Sequence, residues 1–136
     1  MPTAFESLSS IPLFANLSAR HLRRILKSST ENRYEVGDVI VREGGRTQTL
    51  FVILEGTAKV VRNERTVARR SAGEFFGEVS MIDLRPRAAT VIAETPMRCQ
   101  VLYHDDLRKL VVSDPQLAWN LLQTLAGGLR DGDGVT

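Results

Sequence analysis

Residues 73 to 92 read GEFFGEVSMIDLRPRAATVI, and the rest of the chain is best understood outward from them. Gly73 and Gly77 bracket an apolar pair, Phe75 and Phe76. Glu78 to Leu84 then reads as one or two helical turns, with Val79, Met81, Ile82 and Leu84 as the apolar members. Arg85-Pro86 ends that turn, because Pro86 disfavours the helical conformation at Arg85. Arg87 follows at once, before small residues and a β-branched run.

Such an arrangement suits an anion. A helix N-terminus offers unpaired N–H groups and a partial positive charge. Gly77 has no side chain, so a ligand can approach the backbone closely. Arg87 adds a fixed cation whose planar donor fork matches a phosphate, and Ala88 is too small to obstruct it. Glu78, at the start of the same turn, would repel a phosphate unless it faces another group. A sugar hydroxyl meets that need, since an ionised carboxylate only accepts hydrogen bonds.

Phe76-Gly77-Glu78, a short apolar helix, then Pro86-Arg87-Ala88-Ala89-Thr90-Val91 resembles the phosphate-binding cassette of cyclic nucleotide-binding domains. These occur in the catabolite activator protein family, in regulatory subunits of cAMP-dependent kinase and in cyclic nucleotide-gated channels. The resemblance implies roles for the residues. Arg87 would pair with the exocyclic oxygens of the cyclic phosphate, and Glu78 would accept from the ribose 2′-OH. Backbone N–H groups of Ser80 and Ala88 would complete the cradle, Gly77 would line the ribose, and Val79 and Ala89 would lie in the same ligand-binding cassette. Val60, Val67 and Ala68 are expected as the apolar wall beside the base. Family members that prefer cGMP often carry Thr or Ser after the cassette arginine. Ala88 offers no hydroxyl, which favours cAMP, with cGMP as the alternative ligand. No further cofactor is implied.

The chain of 136 residues suits one domain with a sizeable core. Its 43% apolar and 25% charged residues are those of an ordinary globular protein. No apolar run approaches the ~20 residues of a membrane span, and residues 1 to 7 lack the features of a secretion signal. A single cysteine cannot form an internal disulfide, which fits a reducing cytoplasm. A net charge of +2 is too weak to argue for nucleic acid.

Residues 3 to 28 read as helical. Ser18 is a good N-cap, and Leu17 can staple onto Leu22. Arg20, Arg23, Arg24 and Lys27 form a solvated face rather than a nucleic-acid patch, since no aromatic residues interleave with them. The Pro12-Leu13-Phe14…Leu17-Ser18 motif extends the family resemblance.

From residue 30 the period changes. Strands are expected at 33–36, 39–42, 50–54, 58–62 and 66–70, then at 89–93 and 97–103, with turns at Gly37-Asp38, Gly44-Gly45, Glu55-Gly56 and Asn63-Glu64. Met97, Cys99, Val101 and Tyr103 share one face of the last strand. The fold class is therefore mainly β with flanking helices. We expect an antiparallel β jelly-roll barrel over 30–104, N-terminal helices over 3–28, the short cassette helix, and C-terminal helices over 105–130, all in a single domain spanning 1–136.

His104-Asp105-Asp106 opens the first C-terminal helix, and Asp114-Pro115 the second. Leu117, Leu121, Leu125 and Leu129, joined by Leu122 and Trp119, form a stripe that either packs on the barrel or serves as a homodimer seam. No nucleophile motif or metal-ligand spacing is present, so an enzyme is not expected. No helix-turn-helix follows within the chain, so direct DNA binding is not expected either. The expected function is a cyclic nucleotide sensor acting on an unknown effector protein or domain. The alternatives are a ligand-independent interaction domain on the same fold, or the sensor half of a truncated transcription regulator.

Overall fold

The computed structural model describes residues 3–130. Two four-stranded antiparallel sheets face each other as a jelly roll, with helices against one of them. The chain begins with α1 (Ala4–Ser9), a single 3-10 turn (Pro12–Phe14) and α2 (Ala19–Ser28). The strands are β1 (Thr30–Tyr34), β2 (Val39–Val41), β3 (Thr49–Glu55), β4 (Thr57–Arg62), β5 (Arg65–Ser71) and β6 (Phe75–Phe76). The cassette helix α3 (Glu78–Asp83) precedes β7 (Thr90–Ala93) and β8 (Met97–Tyr103), and α4 (His104–Ser113) and α5 (Pro115–Arg130) follow. One sheet runs β1-β8-β3-β6, the other β2-β7-β4-β5.

The inner strands of the first sheet, β3 and β8, are buried on both faces, and this organises the molecule. Along β3, Phe51 and Ile53 enter the core between the sheets, while Leu50 and Val52 enter a second core under the helices. β8 divides the same way: Cys99 and Val101 point between the sheets, Leu102 under the helices. Phe75 and Phe76 split likewise. A strand covered on both sides reads as an unbroken apolar run, as residues 50–54 do. The helical core joins Leu8, Phe14, Leu22, Ile25, Leu107, Leu110, Leu117 and Leu121 to that sheet.

Several expectations shift. The first strand is Thr30–Tyr34, not 33–36. This edge strand has little apolar signal, and its place is set by antiparallel pairing from Thr30↔Val101 to Tyr34↔Met97. The face expected for β8 holds for Met97, Cys99 and Val101, but Tyr103 at its end is exposed. The α3 helix stops at Asp83, ahead of Pro86. Leu84 turns left-handed at φ 61°, and the Asp83 Oδ1 accepts from the Arg85 N–H at 2.9 Å. Ile82 and Leu84 are half exposed, so Met81 is the helix's buried anchor.

Capping acts where the sequence places it at α2 and α5. Ser18 Oγ accepts from the His21 N–H, and Asp114 Oδ1 from the Gln116 N–H. The leucine stripe of α5 divides. Leu117 and Leu121 are buried and Leu125 partly so, but Leu129 is 76% exposed. Trp119 and Leu122 do not share the buried side, because 100° per residue turns them away from Leu117 and Leu121. They stand exposed with Ala126 and Leu129.

Candidate phosphate-binding site

The site is assembled from three segments: the loop before β3, the start of α3, and the segment between α3 and β7. Gly77 is the N-cap of α3 at φ 89°. Its bareness has a nearer cause than ligand approach. A Cβ there would lie 2.5 Å from Thr49 O and 2.9 Å from Arg87 Nη1. Only glycine combines that left-handed backbone with so little room. At six residues α3 adds little dipole, so Arg87 supplies most of the positive charge.

Arg87 is 3% exposed. Its Nη1 donates to Gly77 O at 2.8 Å, and its Nη2 donates to Thr49 O at 3.0 Å and Thr49 Oγ1 at 2.9 Å. Nε and Nη2 also reach Thr47 Oγ1 at 3.3 and 3.2 Å. Phe51 lies 6.0 Å from the guanidinium carbon and stacks on Phe76 with centroids 4.8 Å apart. Burial pulls the Arg87 pKa down from its ordinary value, and the nearby Glu78 carboxylate pulls the other way. Glu78 is itself buried, as is Ser80.

The loop from Arg42 to Gln48 holds the arginine's backbone. Gly44 N–H donates to Arg87 O at 2.8 Å, and Arg87 N–H donates to Gly45 O at 2.7 Å. Thr90 Oγ1 accepts from the Glu43 N–H at 2.9 Å. The Gly44-Gly45 pair, read from sequence as a turn, is thus also a backbone partner of the cassette.

The other expected residues fall into two groups. Val60 and Ala68 face each other in register on β4 and β5, in the inter-sheet core with Phe51, Phe76 and Ala89. Val67 sits at a β-bulge in the same pairing and is 48% exposed, apart from that wall. Ala89 is buried while Ala88 is exposed, and Val79 is half-buried.

Sequence reasoning missed Thr47, Thr49 and His104. The two threonines precede the apolar run of β3 in a T-x-T pattern too common to single out. His104 Nδ1 lies 2.8 Å from Met81 O. Since a carbonyl only accepts, Nδ1 carries the proton, and the bond ties α3 to the start of α4. Among the described residues no group of three His, Cys, Asp or Glu could hold a metal, and no helix is long and apolar enough to cross a membrane.

A family model described as the cyclic nucleotide-binding domain matches residues 31–114. A cAMP-dependent protein kinase regulatory subunit of Mycosarcoma maydis is 35% identical over 90% of this chain and 23% of that protein. The cyclic AMP receptor protein of Thermus thermophilus is 31% identical over 90% of this chain and 59% of that protein. The crystal structure of the Thermus thermophilus catabolite activator protein superposes with a TM-score of 0.83 at 31% identity, covering 90% of this chain and 60% of that one. The chain thus spans less than two thirds of the length of these relatives. The family match, the jelly roll and the buried arginine beside the Gly77 turn agree: this chain belongs to the cyclic nucleotide-binding domain family, of the catabolite activator and kinase regulatory-subunit type.

Proposed function

We propose that the chain is a cAMP-binding regulatory module that passes a phosphate contact to its C-terminal helices. One observation carries the reading: a buried guanidinium, coupled to a buried carboxylate, fixed at the start of α3. Arg87 takes the cyclic phosphate, with backbone N–H groups of Ser80 and Ala88 beside it. Glu78 takes the ribose 2′-OH, and Gly77 and Val79 shape the turn around the sugar. Val60 and Ala68 stand behind the base with Ala89. The absence of a hydroxyl at Ala88 favours adenine over guanine, and the kinase regulatory subunit and the receptor protein both carry cAMP in their names.

The output runs through α3. Movement of this helix reaches α4 through the Met81–His104 bond, and α4 packs with α5 in the helical core. Ligand shifts the helices only in so far as it binds two arrangements unequally. The face of α5 bearing Trp119, Leu122, Ala126 and Leu129 is the surface on which a second copy or an effector is received. Residues 1–136 act as one sensor domain in the cytoplasm, without catalysis and without reading nucleic acid directly.

Calorimetric titration with cAMP and, separately, cGMP tests the assignment. Saturable cAMP binding near micromolar, about −8 kcal/mol, with cGMP at least about tenfold weaker, is expected. Heat from neither nucleotide would instead favour an interaction domain that keeps the fold alone. Equal affinity for both would remove the role given to Ala88.

A further inference from the structure

The guanidinium of Arg87 has two donor edges, and the fold treats them differently. The end edge is committed to the chain. Nη1 and Nη2 bond the Gly77 and Thr49 carbonyls, and Thr49 Oγ1 adds a third buried contact. The side edge, Nε with Nη2, meets Thr47 Oγ1 at 3.3 and 3.2 Å. These bonds are longer, two donors share one neutral oxygen, and Thr47 is an exposed residue. A phosphate binds arginine best through two parallel N–H···O bonds. The side edge offers that pair of donors, and a single hydroxyl matches it poorly.

The supports of the two threonines differ as well. Thr49 is 6% exposed and opens β3, where it pairs with Tyr103 of β8. Thr47 precedes the strand. The backbone of Arg87 is held independently by Gly44 and Gly45. Thr47 can therefore leave the guanidinium without releasing the arginine, whereas Thr49 cannot.

We propose that Thr47 is a displaceable placeholder on the side edge of Arg87, replaced by the phosphate of an incoming cyclic nucleotide, and that Thr49 is the anchor that holds the guanidinium during the exchange. This rests on the proposed role of Arg87 as the group that takes the phosphate. It makes Thr47 a positioning residue that tunes affinity. A monodentate anion must compete with a hydroxyl already in place, while a phosphate gains a second hydrogen bond by displacing it. Two threonines two positions apart thus act on affinity in opposite directions.

The test is calorimetric titration of cAMP into the wild-type chain and into Thr47→Val, Thr47→Ser and Thr49→Val. Valine keeps the shape of threonine and removes the acceptor. Thr47→Val should bind about threefold to tenfold more tightly, with a slightly lowered thermal midpoint, because the free protein loses the same hydrogen bonds to the buried guanidinium. Thr47→Ser should match the wild type, and Thr49→Val should bind at least about tenfold more weakly. Thr47→Val is decisive, whatever Thr49→Val does to folding. If the wild type binds and Thr47→Val binds equally or more weakly, the placeholder is overturned while the nucleotide reading stands. A wild type that takes up neither cAMP nor cGMP overturns both.

Discussion

Gly77 and Arg87 share one small volume, and most of the site's chemistry follows from that. The glycine carbonyl accepts from Nη1, and the room left by the missing side chain is where Nη1 sits. Gly77→Ala should therefore fail twice. A left-handed backbone costs a non-glycine residue about 1–2 kcal/mol, and the new methyl drives against Thr49 O and the guanidinium. A loss of about 2–4 kcal/mol in urea unfolding is expected, together with loss of nucleotide binding. A variant with wild-type stability would show that the turn is not constrained as described. Glu78 and Arg87 were legible in the sequence because their spacing, Gly77 and Pro86 form one local pattern. Thr47 was not. It lies 40 residues from Arg87 along the chain, and only the pairing of the Gly44-Gly45 loop with the cassette brings the two together.

Among the elements, legibility tracked how much apolar pattern each carried. β3 and β8 read clearly, since both faces of these strands are covered. β1, with the sequence TENRY, carried almost none, and its partner strand sets its register. The α5 stripe was visible, but its division into a buried and an exposed side depends on where the helix leaves the body. Nor did the sequence show what docks α5. Asn120 is 5% exposed, and its Nδ2 donates to Leu13 O at 2.9 Å and Ala15 O at 2.8 Å. Gln116 Nε2 donates to Asn120 Oδ1 at 2.9 Å. The amide thereby pins α5 to the 3-10 turn. Asn120→Ala strands two carbonyls and should cost about 2–4 kcal/mol. Hydrogen exchange should show faster amide exchange concentrated in α5. Uniform loss of protection across both sheets would mean that Asn120 supports the whole fold instead.

At the scale of the molecule, the core between the sheets makes stability sensitive to alkali. Cys99 is fully buried between the sheets, and burial pushes its thiol up to about 12 from an ordinary 9.0. Burial also raises the Tyr34 hydroxyl above its ordinary 10.0, against a smaller opposing effect of the hydrogen bond from Asn32. Both folded values are raised, so this stability is fully present below the unfolded values and is lost as pH rises through the folded ones. The urea midpoint should hold up to about pH 8.5 and fall steeply between about pH 9 and 12. Cys99→Val should flatten part of that fall. An unchanged slope in the variant would show that the thiol does not titrate with unfolding.

The helical core joins the cassette to the C-terminal helices through Met81, and the whole functional reading depends on Arg87 being the phosphate anchor. That role is tested most directly by titrating cAMP into the wild-type chain beside Arg87→Lys and Arg87→Ala, with circular dichroism to confirm that each is folded. Lysine keeps the charge but loses the fork that holds Gly77 O and Thr49 O together. Saturable wild-type binding is predicted, weakened by about 2–5 kcal/mol in the alanine variant and only partly restored by lysine. Wild-type affinity in a folded Arg87→Ala would contradict the assignment.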